Sequence, residues 1–331
     1  MQVALVGMNY KLLDLEIREH FAREAQRLLE EGLGLSLVVL STCNRTEIYF
    51  SCVNLAEGHS IILSELKSKI GGFSDNSLYS YFGEKCFKHL AEVASGLDSV
   101  ILGESEIQRQ VKQAYEKAAC SQKLPFCIHY IFQKSLKLGK LIRTDHSLPK
   151  SLVSMESIIA DLIRYFFGEQ KSQSILLVGF SEINRKIIPF LKGKGFSNLN
   201  LATRNIDAAE KMCLNFSCQL INWSELNSWP LHDIVICGSL ASQYLLKQEH
   251  FTDEVQNRLV IDLGLPRNVD PLVEKHPSIT LFNIEEVNCF IDQKQRGMFK
   301  DKGLIKKQLE ENVQNQIDLY YDKKSRVFVC A

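Results

Sequence analysis

The segment SILLVGFSEIN, residues 174–184, contains the pattern that decides the fold of the second half of the chain. Four consecutive apolar residues, Ile175 to Val178, predict a buried strand, and a short turn separates it from a predicted helix over 182–193. The same alternation continues in predicted strands near 199–203, 218–221, 233–237 and 258–263 and in a predicted helix over 207–215. Alternating strands and helices predict an α/β fold with a parallel, doubly wound, Rossmann-like sheet.

The turn after the first of these strands is a candidate cofactor loop, because a pyrophosphate binds where a helix begins. A dinucleotide fingerprint reads GxGxxG, and only its first glycine is present here. We assign cofactor binding to the six residues of the turn, Gly179, Phe180, Ser181, Glu182, Ile183 and Asn184. A plain strand-to-helix turn is the alternative interpretation.

The end of the next strand indicates which nicotinamide cofactor is expected. An NAD site has an acidic residue there, whereas this chain has Thr203 and Arg204, followed by Asn205. An arginine among small polar residues suits a 2′-phosphate, so the pattern favours NADPH. A solvated surface arginine is the alternative interpretation. The strand ends at residues 237–239 and 262–267 are expected to face the same crevice.

The first half of the chain has a different pattern. Strands predicted over 2–7, 36–41 and 46–51, with helices over 14–31 and 55–70, are typical of a small α+β sandwich. We therefore predict three segments. They are a catalytic and substrate domain over 1–145, a cofactor domain over 146–283 with a linking helix over 151–167, and a C-terminal segment over 284–331. Residues 284–321 of the last segment are predicted to form one long helix with an apolar stripe of Ile305, Leu309, Val313 and Ile317.

A cysteine in polar surroundings is the candidate nucleophile. Residues 41–47 read STCNRTE and lie between two apolar runs, so a strand delivers Cys43 to a polar turn. A thiolate is a strong nucleophile, and a neighbouring cation raises the ionised fraction. Arg45 can supply that cation or can bind a substrate carboxylate by a bidentate pair. A structural cysteine is the alternative, and that is our interpretation of the other nine of the ten cysteines.

Composition excludes several classes of protein. The chain is 45% hydrophobic and 24% charged, which is typical of an ordinary globular protein. Its formal net charge is zero, so no overall electrostatic attraction to nucleic acid or to a membrane surface is expected. The N-terminal residues do not resemble a signal or transit peptide, and no apolar run approaches a membrane span. The cysteines include no CxxC pair, which argues against a disulfide framework or a zinc ribbon. We expect a cytoplasmic protein without a metal site.

The chain resembles the glutamyl-tRNA reductases, which catalyse the first step of five-carbon tetrapyrrole, or porphyrin and haem, synthesis. The resemblance rests on STCNRTE at 41–47, GLDSVILGE at 96–104, QVKQAY at 110–115, IRTD at 142–145 and VIDLGLPR at 260–267. It implies that the Cys43 thiolate attacks the ester carbonyl of glutamyl-tRNA and expels the tRNA. The resulting thioester would then accept hydride from NADPH and release glutamate-1-semialdehyde.

The resemblance also implies roles for individual residues. His89 corresponds to a histidine thought to assist proton transfer, although a half-buried structural histidine is the alternative. The implied substrate contacts are Thr42, Asn44, Arg45, Ser99, Glu104, Ser105, Glu106 and Gln110. The family usually has proline and glutamine in place of Ser105 and Glu106, and it has a second glycine in place of Ser181.

The implied partners are tRNA(Glu) charged with glutamate and, after it, a glutamate-1-semialdehyde aminomutase. The family continues past the long helix into a helical dimerisation domain, whereas this sequence stops at Ala331, so the homodimer is left open. The apolar stripe either pairs two chains or packs back on the body. Two lysine-rich clusters either contact tRNA phosphates or are solvated helix faces, namely Lys134, Lys137, Lys140 and Arg143, and Lys300, Lys302, Lys306 and Lys307.

Two other functions are compatible with parts of the sequence. A shikimate-dehydrogenase-type NADP-dependent oxidoreductase would need the second domain but not Cys43. A non-catalytic binding or regulatory homologue would keep the fold and lose cofactor affinity, and Ser181 is the only residue that suggests it.

Overall fold

The structure is a computed structural model that describes residues 1–10, 15–70, 77–104, 106–145, 154–239, 241, 243–251, 256–295 and 302–329. The chain divides into two compact units. The first comprises Met1–Leu152 together with Gln295–Ala331, and the second comprises Val153–Lys294. The predicted fold class, an α+β part followed by a Rossmann-like sheet, is confirmed.

The first unit contains a four-stranded antiparallel sheet. Its strands are β1 (Ala4–Asn9), β2 (Ser36–Ser41), β3 (Arg45–Ser51) and β4 (Tyr79–Phe82), in the order β2-β3-β1-β4. Alternate residues of each strand face opposite sides of the sheet. Val6 therefore packs with Phe21 and Ile62 on one side, and Leu5 packs with Phe87 on the other. Both faces are covered, which fixes the register of the hairpin that contains Cys43.

Five helices cover this sheet. They are α1 (Leu15–Glu31), α2 (Leu55–Lys69), α3 (Glu84–Ser95), α4 (Glu106–Ser121) and α5 (Phe126–Asp145). The helices α3 and α5 approach closely at Gly139, where an added Cβ would lie 2.5 Å from the Ala94 carbonyl oxygen. Such a separation is shorter than any real contact, so only glycine fits there. Residue 14, the predicted first residue of α1, lies outside the described residues.

The second unit contains a six-stranded parallel sheet. Its strands are β5 (Ile175–Val178), β6 (Leu199–Ala202), β7 (Gln219–Ile221), β8 (Ile234–Cys237), β9 (Arg258–Asp262) and β10 (Ile279–Asn283). The order is β10-β9-β8-β5-β6-β7, so the winding direction reverses between β5 and β8. In sheets of this kind ligands bind at that reversal, beyond the carboxyl ends of the strands. The helices of this unit are α6 (Met155–Phe167), α7 (Glu182–Gly193), α8 (Ile206–Phe216) and α9 (Ile284–Gln295).

A last helix, α10 (Lys302–Val329), packs against α3 and α5 of the first unit. Its four stripe residues are at most 5% exposed and belong to the core of that unit. The Tyr130 hydroxyl donates to the Gln316 carbonyl at 2.7 Å, which ties the helix in place. Of the two alternatives for the stripe, the structure has packing on the body. The predicted single helix over 284–321 is present as α9 and α10, and residues 296–301 between them lie outside the described part.

Nine of the cysteines lie in the described residues, and all nine are free thiols. Five of them, Cys86, Cys127, Cys213, Cys218 and Cys237, are buried, as the structural interpretation expected. Among the helices described, none combines the length and the apolar character that crossing a membrane requires.

Candidate active site

Cys43 lies in a tight hairpin loop between β2 and β3. The Thr42 hydroxyl oxygen accepts hydrogen bonds from the backbone N–H groups of Asn44 and Arg45, at 3.2 and 3.1 Å. The Thr42 N–H donates to the Arg45 carbonyl at 2.8 Å and closes the loop. Side chains that bond to nearby backbone in this way favour turns. Thr42, an expected substrate contact, therefore shapes the loop that presents Cys43, while Asn44 is half-buried beside it.

The thiol of Cys43 is largely protonated in this structure. Cys43 is half-buried, and loss of hydration raises the pKa of its thiol to about 12, with the negative charge of Glu104 acting in the same direction. The positive charge of Arg18 opposes both effects. Arg18, from α1, is buried and also donates to the Cys43 carbonyl oxygen. The raised pKa leaves only a very small fraction of the Cys43 thiol ionised at pH 7.

Arg45 joins the two sequence motifs of the first unit. Its Nη1 donates to the Asp98 carboxylate at 2.9 Å and to Glu47 at 3.1 Å, and its Nη2 donates to the Asp98 carbonyl. The side chain is 5% exposed. The loop at 96–104 is thereby held against the hairpin at 41–47. The cation that lowers the pKa of Cys43 is Arg18, whereas the guanidinium of Arg45 is engaged by two carboxylates.

Glu47 is a fully buried carboxylate with four hydrogen-bond donors around it. Its Oε1 accepts from Tyr79 at 2.6 Å, His89 at 2.7 Å and Arg45 at 3.1 Å, and its Oε2 accepts from Tyr49 at 2.6 Å. Burial alone would raise the pKa of Glu47, but its interactions with His89 and Arg45 outweigh burial and hold the pKa below its usual range. Glu47 is therefore ionised, and its position is fixed by all four partners.

His89, the expected proton-transfer residue, lies on α3 with its Nε2 on the Glu47 carboxylate. Its ring packs against those of Tyr79 and Tyr81, with centroid distances of 5.5 and 4.9 Å. An ionised carboxylate on one nitrogen selects the tautomer that carries the proton there. Glu47 and the two tyrosines thus fix the orientation and the tautomer of the imidazole.

The loop at 96–104 and the start of α4 hold the remaining expected substrate contacts. Ser99 and Glu104 are half-buried, and the Ser99 N–H donates to the Gly96 carbonyl at 3.4 Å. Glu106 pairs with Arg109, whose Nε lies 3.1 Å from its Oε1. Gln110 follows one turn later and is half-buried. Ser105 lies outside the described residues.

The expected cofactor turn of the second unit has the shape of a nucleotide cradle. Gly179 has a φ of +92°, and an added Cβ would lie 2.7 Å from the Cβ of Ser239. An added Cβ at Gly238 would lie 3.1 Å from the Ser181 hydroxyl. The turns after β5 and β8 therefore meet at the winding reversal of the sheet, and the glycines permit a close backbone approach. These residues fit a dinucleotide phosphate at the start of α7.

Two residues of this turn differ from a GxGxxG pattern, and both have defined contacts. Ser181 is the N-cap of α7, and its hydroxyl accepts from the Asn184 N–H at 3.4 Å. The buried Asn184 amide donates to the carbonyls of Val178 and Gly179, at 3.0 and 2.8 Å. The Asn184 Oδ1 is buried without a hydrogen-bond partner among the described residues. Glu182, Phe180 and Ile183 are half-buried in the same turn.

Arg204 follows β6, next to the cradle strand β5 in the sheet. Its side chain is exposed, and its guanidinium carbon lies 5.3 Å from the ring centroid of Trp223. Thr203 is buried, and its hydroxyl accepts from the Asn205 N–H at 3.1 Å. The strand ends at 237–239 and 262–267 are linked by Asn268, which accepts from the Ser239 N–H at 2.8 Å.

The two predicted basic clusters differ in burial and in the contacts of their side chains. Burial, followed by the charges of Lys323 and Lys137, lowers the pKa of Lys134, so these three lysines share one patch of the first unit. Arg143 is half-buried and donates to the Ala94 carbonyl at 3.3 Å. In the second cluster Lys306 pairs with Glu92 at 3.2 Å, Lys302 and Lys307 are exposed, and Lys300 lies outside the described residues.

Comparison with known families covers both units. A family described as the N-terminal domain of glutamyl-tRNA(Glu) reductase matches residues 6–146, and a shikimate/quinate 5-dehydrogenase family matches residues 161–289. Glutamyl-tRNA reductases of Desulforudis audaxviator and Akkermansia muciniphila are 32% and 30% identical to 88% and 90% of this chain. The matched regions make up 69% and 92% of those two proteins.

The chain belongs to the glutamyl-tRNA reductase family. A solved glutamyl-tRNA reductase from Methanopyrus kandleri matches 99% of the chain at 25% identity with a TM-score of 0.54, and 83% of that structure is covered. A shikimate dehydrogenase would account for the second unit alone. Membership in the glutamyl-tRNA reductase family accounts for both units, and its N-terminal domain includes both STCNRTE and GLDSVILGE, which meet at Arg45 and Asp98 in this structure.

Five residues with evident roles were not singled out from the sequence: Arg18, Glu47, Tyr79, Asp98 and Trp223. Glu47 lies in STCNRTE and Asp98 lies in GLDSVILGE. Both could have been found from the sequence by considering every charged residue of these two motifs. Arg18, Tyr79 and Trp223 lie outside every motif, and only folding brings them to Cys43, Glu47 and Arg204. Each of the five contacts a residue that was singled out from the sequence.

Proposed function

We propose that this protein reduces glutamyl-tRNA to glutamate-1-semialdehyde with NADPH, through a thioester on Cys43. The observation that carries the proposal is the site around Cys43. There a half-buried cysteine is presented by a closed hairpin loop beside a loop that Arg45 and Asp98 hold in place. Family membership and the cradle at Gly179 support the same reaction.

In the first step the Cys43 sulfur attacks the ester carbonyl carbon of the aminoacyl group. The carbon–sulfur bond forms, the bond to the tRNA ribose oxygen breaks, and that oxygen leaves with a proton. Because the pKa of the thiol is about 12, proton removal must accompany substrate binding or attack. Arg18 favours the thiolate through its positive charge. The hydrogen bond that Arg18 donates to the Cys43 carbonyl holds the nucleophile in position.

In the second step the thioester carbonyl is reduced and the Cys43 thiolate leaves. NADPH, when bound, supplies the hydride for this step. In the second unit the turn at Gly179 and the start of α7 would hold its pyrophosphate, and Arg204 would hold its 2′-phosphate. Forming the thioester first is useful because a thioester carbonyl is more electrophilic than the ester and stays attached to the enzyme.

His89 is the proposed proton-transfer group of the first unit. Glu47 fixes its ring and holds the proton on Nε2. Glu47 itself is buried among four donors, so we assign it a positioning role and not contact with substrate. Glu104, Glu106 and Gln110 remain proposed substrate contacts, with Ser99 in the adjacent loop.

The tRNA surface that we propose is the patch of Lys134, Lys137 and Lys323. Burial and then the charges of Lys323 and Lys137 lower the pKa of Lys134, and a bound polyanion would relieve the repulsion among these like charges. The patch lies in the same unit as Cys43. An aminomutase that consumes the semialdehyde is the partner that the resemblance implies.

A single-turnover reaction with acyl-labelled glutamyl-tRNA tests the proposed function. Wild-type protein without NADPH should acquire covalent label, and adding NADPH should release labelled aldehyde. Cys43→Ser should acquire no thioester label. Wild-type protein that neither becomes labelled nor releases aldehyde, although it binds NADPH, would favour an oxidoreductase of the shikimate-dehydrogenase type. Failure to bind NADPH as well would favour a non-catalytic homologue.

A further inference from the structure

The Arg204 side chain has an aromatic support that the sequence motifs do not include. Its guanidinium lies over the ring of Trp223 at 5.3 Å, within the range of an attractive cation–π contact. Arg204 is exposed, and within the described part of the chain it forms no ion pair with a carboxylate. An exposed arginine has many rotamers, so a single supporting surface restricts its position considerably.

Trp223 is itself anchored. It is the first residue of a short 3₁₀ helix over Trp223–Leu231, and the Asn222 side chain caps that helix by accepting from the Ser224 N–H at 3.1 Å. Trp223 is half-buried and packs against a core cluster that includes Leu226 and Trp229. One part of the Trp223 indole is therefore fixed by the core cluster, and the face of the ring contacts the Arg204 guanidinium.

A cation–π contact does not use the hydrogen-bond donors of the guanidinium. All five N–H donors point outward in the plane of the group, so they are left for another partner. A phosphate oxygen pair can then be bound in bidentate fashion without breaking the stack. The arginine follows β6, which pairs with the cradle strand β5, so the stack stands beside the proposed cofactor crevice.

We propose that Trp223 is a positioning residue that holds Arg204 in place for the 2′-phosphate of the cofactor. It thereby sets the preference for a 2′-phosphorylated dinucleotide over the unphosphorylated form. This inference rests on the proposed function, since it requires that the second unit binds NADPH. Trp223 acts only through Arg204, and it makes no contribution to ligands that lack the 2′-phosphate.

Calorimetric titration of the intact protein with 2′,5′-ADP and with 5′-AMP tests the inference without any turnover. Arg204→Met should weaken 2′,5′-ADP at least tenfold, since it removes a bidentate charged partner. Trp223→Leu should weaken 2′,5′-ADP about two- to fivefold, the range expected for an exposed cation–π contact, and leave 5′-AMP unchanged. Trp223→Phe keeps an aromatic face and should restore most of the affinity.

Two controls separate positioning from loss of charge or of folding. Lys211→Met removes an exposed cation from α8, the helix that begins after Arg204, and should leave both affinities unchanged. In the Arg204→Met background, Trp223→Leu should have no further effect on 2′,5′-ADP. Additive losses would mean a general structural effect and would overturn the inference, as would equal weakening of 5′-AMP, which indicates direct stacking on adenine.

The proposed cofactor and the proposed role of Trp223 fail in different ways. Wild-type protein that binds neither NADPH nor 2′,5′-ADP would overturn both. Wild-type protein that binds 2′,5′-ADP tightly, with Trp223→Leu binding it equally well, would overturn the role of Trp223 and leave the cofactor in place.

Discussion

At the scale of single residues, the site is built from charged side chains that are removed from water and then paired. Arg45 is 5% exposed and Glu47 is 0% exposed, yet each has partners of opposite charge. Removing one member of such a set leaves the others buried without compensation, which costs more than the intact set contributes. This asymmetry gives a prediction for Glu47, which lies at the centre of the set.

Glu47→Gln is expected to destabilise the protein by about 2–4 kcal/mol at pH 7, because Arg45 loses one of its two carboxylate partners and His89 loses the carboxylate that accepts its hydrogen bond. The pKa of Glu47 is depressed in the folded state, so its contribution is present above the unfolded value of about 4.3 and is lost as the pH falls. Urea unfolding at pH 7 and at pH 4 measures both effects. The difference between wild type and variant should shrink at the lower pH.

Glu116→Gln is the matched control for that measurement. Glu116 is exposed and pairs with Lys112 at 3.6 Å, a type of surface pair that contributes little. Its unfolding free energy should stay close to that of wild type at both pH values. A Glu47→Gln variant as stable as the control would contradict the role of Glu47 as the centre of the network.

Glu104→Gln is expected to make Cys43 more reactive. Burial is the main cause of the raised thiol pKa and remains, but the next cause, the charge of Glu104, is removed. We expect about three- to tenfold faster alkylation of Cys43 by iodoacetamide at pH 8, measured by mass spectrometry of its peptide. The exposed Cys120 is an internal reference and should react at the same rate in both proteins. Equal rates for Cys43 would show that Glu104 exerts no charge effect on the thiol.

At the scale of elements, the start of α7 is the part of the second unit that we propose binds the cofactor phosphate. A free helix N-terminus offers several backbone N–H groups to an anion. Here the Ser181 hydroxyl takes the Asn184 N–H, so the cap and a phosphate compete for the same donor. The replacement of a glycine by Ser181 therefore changes both the space and the hydrogen bonding of the turn.

Ser181→Gly is expected to lower the dissociation constant of NADPH about two- to tenfold, since the competing hydroxyl is lost. Replacing an N-cap serine by glycine costs only a few tenths of a kcal/mol of helix stability. Isothermal titration with NADPH measures the change. Ser154→Gly removes a comparable cap from α6 in the same unit and should leave the affinity unaltered. Weaker binding by Ser181→Gly would mean that the hydroxyl assists the cofactor.

At the scale of the whole molecule, the last helix returns to the first unit and completes its core. Ile305, Leu309 and Val313 fill the same cluster as Phe87 and Ile131. Packing of α10 also brings Lys323 close to Lys134 and Lys137, which are far from it in the sequence. A basic patch is thereby formed in a chain whose formal net charge is zero.

Simultaneous replacement of Lys134, Lys137 and Lys323 by glutamine is expected to weaken tRNA binding about tenfold at moderate salt. The slope of log K against log salt should fall by about two, because phosphate contacts release counterions. Filter binding at several salt concentrations measures both quantities. The double variant Lys302→Gln with Lys307→Gln changes the other cluster and should have a smaller effect. The reverse ranking would place the tRNA on that cluster.

Much of the architecture was predictable from local patterns. The strand at 36–41 and the helix at 182–193 have the predicted bounds, because apolar periodicity, glycines and capping residues specify where such elements begin and end. The strand β10 was missed. It lies at the edge of the sheet and is mostly half-buried, so it lacks the continuous apolar run of the inner strands.

The sequence by itself determined the order of the elements, the cysteine at the end of a strand, and the motifs that identify the family. Only the tertiary structure decided which cation acts on Cys43, that Arg45 is bound by Asp98 and Glu47, and that the stripe of α10 is buried. The reason is physical. Periodicity and capping are set by neighbours in the chain, whereas desolvation and charge pairing depend on residues that are brought together from distant positions.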